Sequence, residues 1–470
     1  MPESALFREY AEALRPLLNA SAPQTIAGLC ELVRIPSVSW EGYDPAQPRR
    51  SAETVARQLQ RIGVFDSVQV LAHQEGAPAV VARREPAPGR PTVLLYAHHD
   101  VQPPGAGSDW ESDPFDPVVR AGRLYGRGSA DDKAGIAVHI AALRAVTQHL
   151  GEGFELGLVV FIEGEEERGS PTFRGFLTEH ATLLQSDLMV VADSDNPSVD
   201  QPAVTTSLRG NATAVLRVKT LDHALHSGMF GGAAPDALAA LVRILASFYD
   251  DSGALRIPGL RRVVSGDAGE PAVLPAEAGL LPGVEEVGTG SVPDRLWRQP
   301  ALTITGVDAP SIDHASNTLL PEAAAKLSLR VAPGDTAESA LAALRDHIQA
   351  HAPWGARWSL EDVSLGEPFL QRADSLGLEL ARGALEAGFG APAIDQGVGG
   401  SIPFIAWLKD AFPSAQVVVT GVEDPDTRAH SPNESLHLGV LWRQALSEAT
   451  LLAVLNHRQR SDFADEDVVE

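Results

Sequence analysis

Histidines and acids recur in this chain just where apolar runs end. His98-His99-Asp100 closes the run TVLLYAH (92–98), and strand geometry turns His98 and Asp100 to one face with His99 opposite. Asp131 and Asp132 precede a helical pattern at 133–150, and Glu165-Glu166-Glu167 follows LGLVVFIE (156–163). Asp193, with Asp195 nearby, ends DLMVVAD (187–193), and His430 follows AQVVVTG (415–421) by a few residues. Each has a bland reading alone: an Asp before a helix caps it, and an acidic triplet is a solvated loop. Together they bring several carboxylates to one rim, where they repel strongly unless a cation neutralises them. Imidazole and carboxylate donors suit Zn²⁺, Mn²⁺ or Co²⁺. Two divalent ions would balance Asp131, Glu167, Asp193 and a bridging hydroxide. His98 and His430 then serve as neutral donors, one per metal, and Glu166 is free to carry a proton. Asp100 would fix the tautomer and orientation of His98.

The elements that must position these groups alternate. Short runs buried on both faces, at 92–98, 156–163, 187–193 and 415–421, are interspersed with helical patterns at 22–34, 51–63 and 133–150. That alternation predicts an α/β fold with a mostly parallel sheet, whose ligands gather beyond the carboxyl ends of the strands. From about residue 207 the pattern changes. TAVLRVKT (213–220) and AAKLSLRVAP (324–333) alternate like strands with one exposed face, and amphipathic helices fall at 235–248 and 337–350. A compact α+β unit is therefore expected inside the chain, at 207–368, between two parts of a catalytic domain at 1–206 and 369–470.

Composition narrows the partners. The 470 residues carry 37 Lys+Arg against 62 Asp+Glu, a net charge of −25, which disfavours a nucleic-acid partner. With 44% hydrophobic residues the chain can pack a core. One cysteine, Cys30, excludes an intramolecular disulfide or a thiolate zinc cluster. Neither a signal peptide nor an uncharged apolar span is read, so a cytoplasmic protein with no membrane partner is expected.

Seven pieces occur in a telling order: YAHHDVQP (96–103), GRGSADDK (126–133), FIEGEEERGS (161–170), VVADSDN (190–196), LHSGMFGG (225–232), GGSIP (399–403) and AHSPNE (429–434). As a set they resemble the M20 family of dinuclear metallopeptidases, most closely its carnosinase-like, cytosolic dipeptidase branch, over about residues 25–455. The resemblance implies a zinc-peptidase-like catalytic domain with an inserted lid and dimerisation domain. It makes His98, Asp131, Glu167, Asp193 and His430 the ligands of two divalent ions per subunit, Zn or Mn, with Asp131 bridging and its bond to Asp132 cis. Counting back from Leu208-Arg209-Gly210 selects Asp193 over Asp195.

The same resemblance implies a homodimer that hydrolyses dipeptides through a metal-bound hydroxide, with Glu166 as general base and Asp100 beside the metal-binding histidine. His226 would reach into the partner subunit's site to hold the oxyanion. Arg330 would bind the substrate carboxylate, with Asn317, Gly400 and Ser401 as further contacts. The alternative is an N-acyl amino acid amidohydrolase using the same metals on a short acyl amino acid. The chain departs from its relatives at Gly397-Val398, where they commonly carry Arg-Glu, and at Asp195-Asn196-Pro197 in place of Gly-Asn-Trp. Substrate preference is what these departures affect.

Overall fold

The computed structural model describes residues 3–263, 278–372, 374–400 and 403–463. By its contacts the chain forms two units. The first is Met1–Thr206 with Gln371–Gln396 and Trp407–Glu470; the second is Ser207–Leu370 with Gly397–Ala406.

Uninterrupted Val, Leu and Ile runs can be accommodated only where both sheet faces are covered, and they form the middle of the first unit. Its sheet runs in the order Ser67–Leu71, Ala79–Arg84, Gly157–Glu163, Thr92–His98, Leu188–Val191, Gln416–Val419 and Ala203–Leu208. The four strands from Gly157–Glu163 to Gln416–Val419 are parallel, and the flanking strands pair antiparallel. Parallel register brings carboxyl ends level: His98 lies opposite Glu163, and Tyr96 lies opposite Val191. The residues that follow these strands therefore emerge at one edge.

Helices Glu3–Val33, Lys133–Leu150, Leu376–Phe389 and Leu438–Leu455 pack with this sheet and with one another. The first is longer than the expected helix at 22–34 and continues through Pro16 and Pro23. Its buried stripe, Phe7, Ala11, Leu14, Leu18, Leu29 and Leu32, runs across both prolines. Both prolines face solvent, where the carbonyls they leave unpaired can meet water. Leu438–Leu455 is long and apolar enough to cross a bilayer, but it is mostly buried inside the protein. The core explains its apolarity.

In the second unit an antiparallel sheet has the order Ala301–Asp308, Glu322–Val331, Gly210–Lys219 and Arg357–Gly366. Burial alternates along Gly210–Lys219, as expected for a sheet covered on one side. Helices Ala237–Ser247 and Ala337–His351, capped by Asp236 and Thr336, supply the cover. Leu216, Val218, Leu241, Ile244, Leu327 and Leu344 make the core between them. Asn211, Thr213, Ser328 and Arg330 are left on the opposite, half-buried face.

One buried ion pair joins helices of the first unit. His139 Nδ1 lies 2.9 Å from both Glu448 oxygens, and its Nε2 lies 3.0 Å from the Tyr96 carbonyl. Burial opposes the charged ring, but Glu448 outweighs it and the His139 pKa is raised. Glu448→Leu should cost about 3–5 kcal/mol in urea unfolding, because it strands a buried polar partner. A raised histidine pKa contributes stability fully below the unfolded value of about 6.5 and loses it as pH rises through the folded one. The gap between native and variant should therefore narrow as pH is raised above neutrality.

Candidate metal centre

The strand ends of the first unit carry the predicted donors to one place. His98, the last residue of its strand, is fully buried. Its Nδ1 lies 3.1 Å from the Asp100 carbonyl oxygen and 3.4 Å from Asp100 Oδ1, so the ring turns Nε2 towards the acids. That Nε2 lies 3.1 Å from Asp131 Oδ1 and 3.9 Å from Asp193 Oδ1. On the other side of Asp131, His430 Nε2 lies 3.0 Å from Oδ2 and 3.1 Å from Glu167 Oε2. His430 adopts a left-handed backbone, φ +61°, a conformation often held at functional sites. Two donor groups result, His98–Asp131–Asp193 and Asp131–Glu167–His430, sharing Asp131. Asp195 belongs to neither and accepts a 2.7 Å hydrogen bond from Gln396.

Glu166 differs from its neighbour. Gln102 donates to both Glu167 oxygens, from its backbone N–H at 3.1 Å and from Nε2 at 2.7 Å. The Glu166 carboxylate has no hydrogen bond among the described residues, is 15% exposed, and lies 4.0 Å from His98 Nε2. Asp100 fixes the loop that carries both glutamates, accepting the Glu166 and Glu167 amides at 3.2 Å each and the Ser39 hydroxyl at 2.7 Å.

Asp132 caps the Lys133–Leu150 helix through Gly135 N–H and accepts the His98 amide at 3.1 Å; its peptide bond with Asp131 is cis. Glu434, fully buried, accepts from the amides of Gly128, Ala130 and Asp131 and from Arg127 at 2.7 Å. It thereby holds the turn that presents Asp131. Glu434 and Gln102 lie inside quoted motifs, although the residue types alone gave them no role. Glu423 had no motif signal, yet burial, then Asp131 and Asp193, push its carboxyl well above the usual range.

The electrostatics fit cations. Burial raises Asp193 to about 6 and Glu167 to about 7, and it raises Glu166 well above the ordinary value, with Asp193 adding to that shift. Burial also pushes on Asp131, but the His430 and His98 rings more than offset it and hold that carboxyl low. Asp131 and then Glu167 lift His430 to about 11. Meanwhile His98 Nε2 is buried without a hydrogen-bond partner, an orphaned nitrogen facing carboxylates. Such a set of imidazole and carboxylate donors suits two divalent ions sharing one carboxylate.

The remaining predicted residues lie in the second unit. His226 pairs with Thr318 in a short ribbon, and its Nδ1 accepts from Gly228 N–H at 3.1 Å. The ring proton is thus on Nε2, and the residue is exposed. The Asn317 carbonyl accepts from Ser227 N–H at 2.9 Å, beside His226. Arg330 is half-buried with no ionic partner among the described residues. Gly400 lies two residues beyond Val398, the end of a strand, whose carbonyl accepts from Arg209 N–H. Ser401 lies outside the described residues. Gly397 is closely hemmed in: a Cβ there would come 2.5 Å from Trp297 Cβ and 2.8 Å from Ser207 Oγ. Trp297 thus fills the space beside Gly397.

A centre of this kind, set at the carboxyl edge of a parallel sheet, is that of a dinuclear metallohydrolase. Residues 94–453 match the profile of Peptidase family M20/M25/M40. The cysteinylglycine-S-conjugate dipeptidase of Corynebacterium striatum is 34% identical over 86% of this chain and 89% of that protein. The Cys-Gly metallodipeptidase dug1 of Schizosaccharomyces pombe is 25% identical over 91% and 94%. The solved structure of the di-peptidase Dug1p from Saccharomyces cerevisiae superposes with a TM-score of 0.77 at 23% identity, covering 95% of this chain and 99% of that one. The chain belongs to peptidase family M20/M25/M40, in the metallodipeptidase branch that these relatives represent.

Chelation should lower Tm, and added Mn²⁺ or Zn²⁺ should restore it; a hundredfold excess over Kd contributes about 2.7 kcal/mol. Asp131→Ala, which removes the shared carboxylate, should abolish both the Tm response and the metal content measured on the purified protein.

Proposed function

We propose that this enzyme is a homodimeric, cytoplasmic dipeptidase that cleaves its substrate at a pair of Zn²⁺ or Mn²⁺ ions. The observation that carries the proposal is Asp131 shared between two histidine–carboxylate groups, with an unbonded Glu166 beside them. His98, Asp131 and Asp193 would hold one ion; Asp131, Glu167 and His430 would hold the other. Bound there, the ions supply Lewis acidity that lowers the pKa of a water and polarises the scissile carbonyl.

The protein groups do the rest. Glu166, unencumbered and partly open to solvent, takes the proton of the attacking water and returns it to the leaving amine. Asp100 is a positioning residue: it touches the His98 ring and the Glu166–Glu167 backbone, not the reacting atoms. His226, whose Nδ1 is occupied, offers Nε2–H to the developing oxyanion of the other subunit. Arg330 pairs the C-terminal carboxylate in a bidentate fork, and Asn317, Gly400 and Ser401 are further substrate contacts. An acidic chain with a single cysteine is consistent with the cytoplasm.

Relatives named as dipeptidases support a free amino group on the substrate over an N-acyl one. Assay of Ala-Ala beside N-acetyl-alanine tests this: turnover of the dipeptide is expected, and preference for the acetylated compound would overturn it. Glu166→Gln should retain both metals by elemental analysis while kcat falls by about 10²–10⁴.

A further inference from the structure

The open face of the second unit's sheet holds more positive charge than Arg330 alone. Arg330 lies opposite Asn211 in the antiparallel pairing, and Arg209 stands two residues before Asn211, just ahead of that strand. Arg209 is only 9% exposed, yet no carboxylate meets it among the described residues. Its Nε donates to the Gly399 carbonyl at 3.3 Å, and its Nη1 donates to the carbonyls of Arg295 and Gln299 at 3.3 and 3.4 Å. Nη2 is left over. It sits against Gly399, where a Cβ would come 2.7 Å from it, so any side chain at 399 would crowd that nitrogen.

Burial, and then the charge of Arg330, bring the Arg209 pKa down to about 10, so the two guanidinium groups feel one another. In a chain of net charge −25, two neighbouring arginines without acids beside them stand out. Like charges in a partly desolvated place are unfavourable until an anion joins them. One carboxylate saturates the Arg330 fork, and Arg209 Nη2 is left to take a second carboxylate through a single charge-assisted hydrogen bond.

We infer that Arg209 and Arg330 form a two-arginine subsite that takes both carboxylates of a C-terminal aspartate or glutamate, giving a preference for dipeptides with an acidic second residue. The inference rests on the proposed role of Arg330 at the substrate's C-terminus. Arg330 holds the main-chain carboxylate, and Arg209 Nη2 meets the side-chain one. The three carbonyls on Arg209 keep its head fixed, so little side-chain freedom is lost when the substrate arrives.

The test compares kcat/KM for Ala-Glu, Ala-Gln and Ala-Ala in the metal-loaded native enzyme, Arg209→Met and Arg209→Lys. The native enzyme should favour Ala-Glu over Ala-Gln by about tenfold or more, mostly through KM. Arg209→Met should bring that ratio towards one, and Arg209→Lys should keep part of it. Free glutamate should also inhibit the native enzyme better than free glutamine, a measurement independent of whether a variant folds. Equal turnover of Ala-Glu and Ala-Gln by the native enzyme, or an equal loss of both in Arg209→Met, overturns the subsite while leaving the dipeptidase reading intact. Failure of the native enzyme to cleave Ala-Ala as well overturns both.

Discussion

Asp131 must face two imidazoles at once, one on each oxygen, and the surrounding architecture is arranged to permit it. Carboxylates gathered in a water-poor place repel one another, so the fold sorts them into two kinds. Asp100, Asp132 and Glu434 spend their oxygens on backbone amides and so hold the surrounding chain in place. Asp131, Asp193, Glu166 and Glu167 keep lone pairs directed at the rim. The first kind fixes the second: Glu434 sets the turn before Asp131, and Asp100 sets the loop of the two glutamates.

This sorting relies on parallel pairing. Because the Thr92–His98 and Gly157–Glu163 strands run level, Asp100 just beyond one reaches the amides just beyond the other. An antiparallel neighbour would have sent the glutamate loop to the opposite edge. The stability of the buried strands and the geometry of the centre are therefore one property. A substitution that shifted their register would move the chemical groups without touching them.

Much of this could be read before the fold was known, for a specific reason. A strand buried on both faces has a plain signature, and the residues after it have only one edge to occupy, so His98, Glu166, Glu167 and Asp193 could be placed together. Asp193 and Asp195 share a face by period two, and spacing alone could not divide them. What separates them is Gln396, two hundred residues away, which engages Asp195. Glu423 escaped notice because its proximity to Asp131 and Asp193 is purely tertiary. The expected helix began only at 22, and the stretch before it joins the same helix because Pro16 and Pro23 both lie on its solvent side. Arg209 served in the sequence as a marker for counting; its want of an acid is visible only in three dimensions.

The contact of Gly397 with Trp297 limits how this enzyme can change. With Trp297 Cβ only 2.5 Å from where a Cβ at 397 would stand, any larger residue there collides with backbone-proximal atoms that no rotamer can move. An arginine could not be placed at 397 by a single substitution, since it would disrupt packing before it offered a new charge. Shortening Trp297 would not relieve the clash, because every residue but glycine keeps that Cβ, and Ser207 Oγ would still lie 2.8 Å away. What keeps position 397 a glycine is thus the closeness of two backbone segments rather than the bulk of one neighbour, and only a shift of the chain itself would free it.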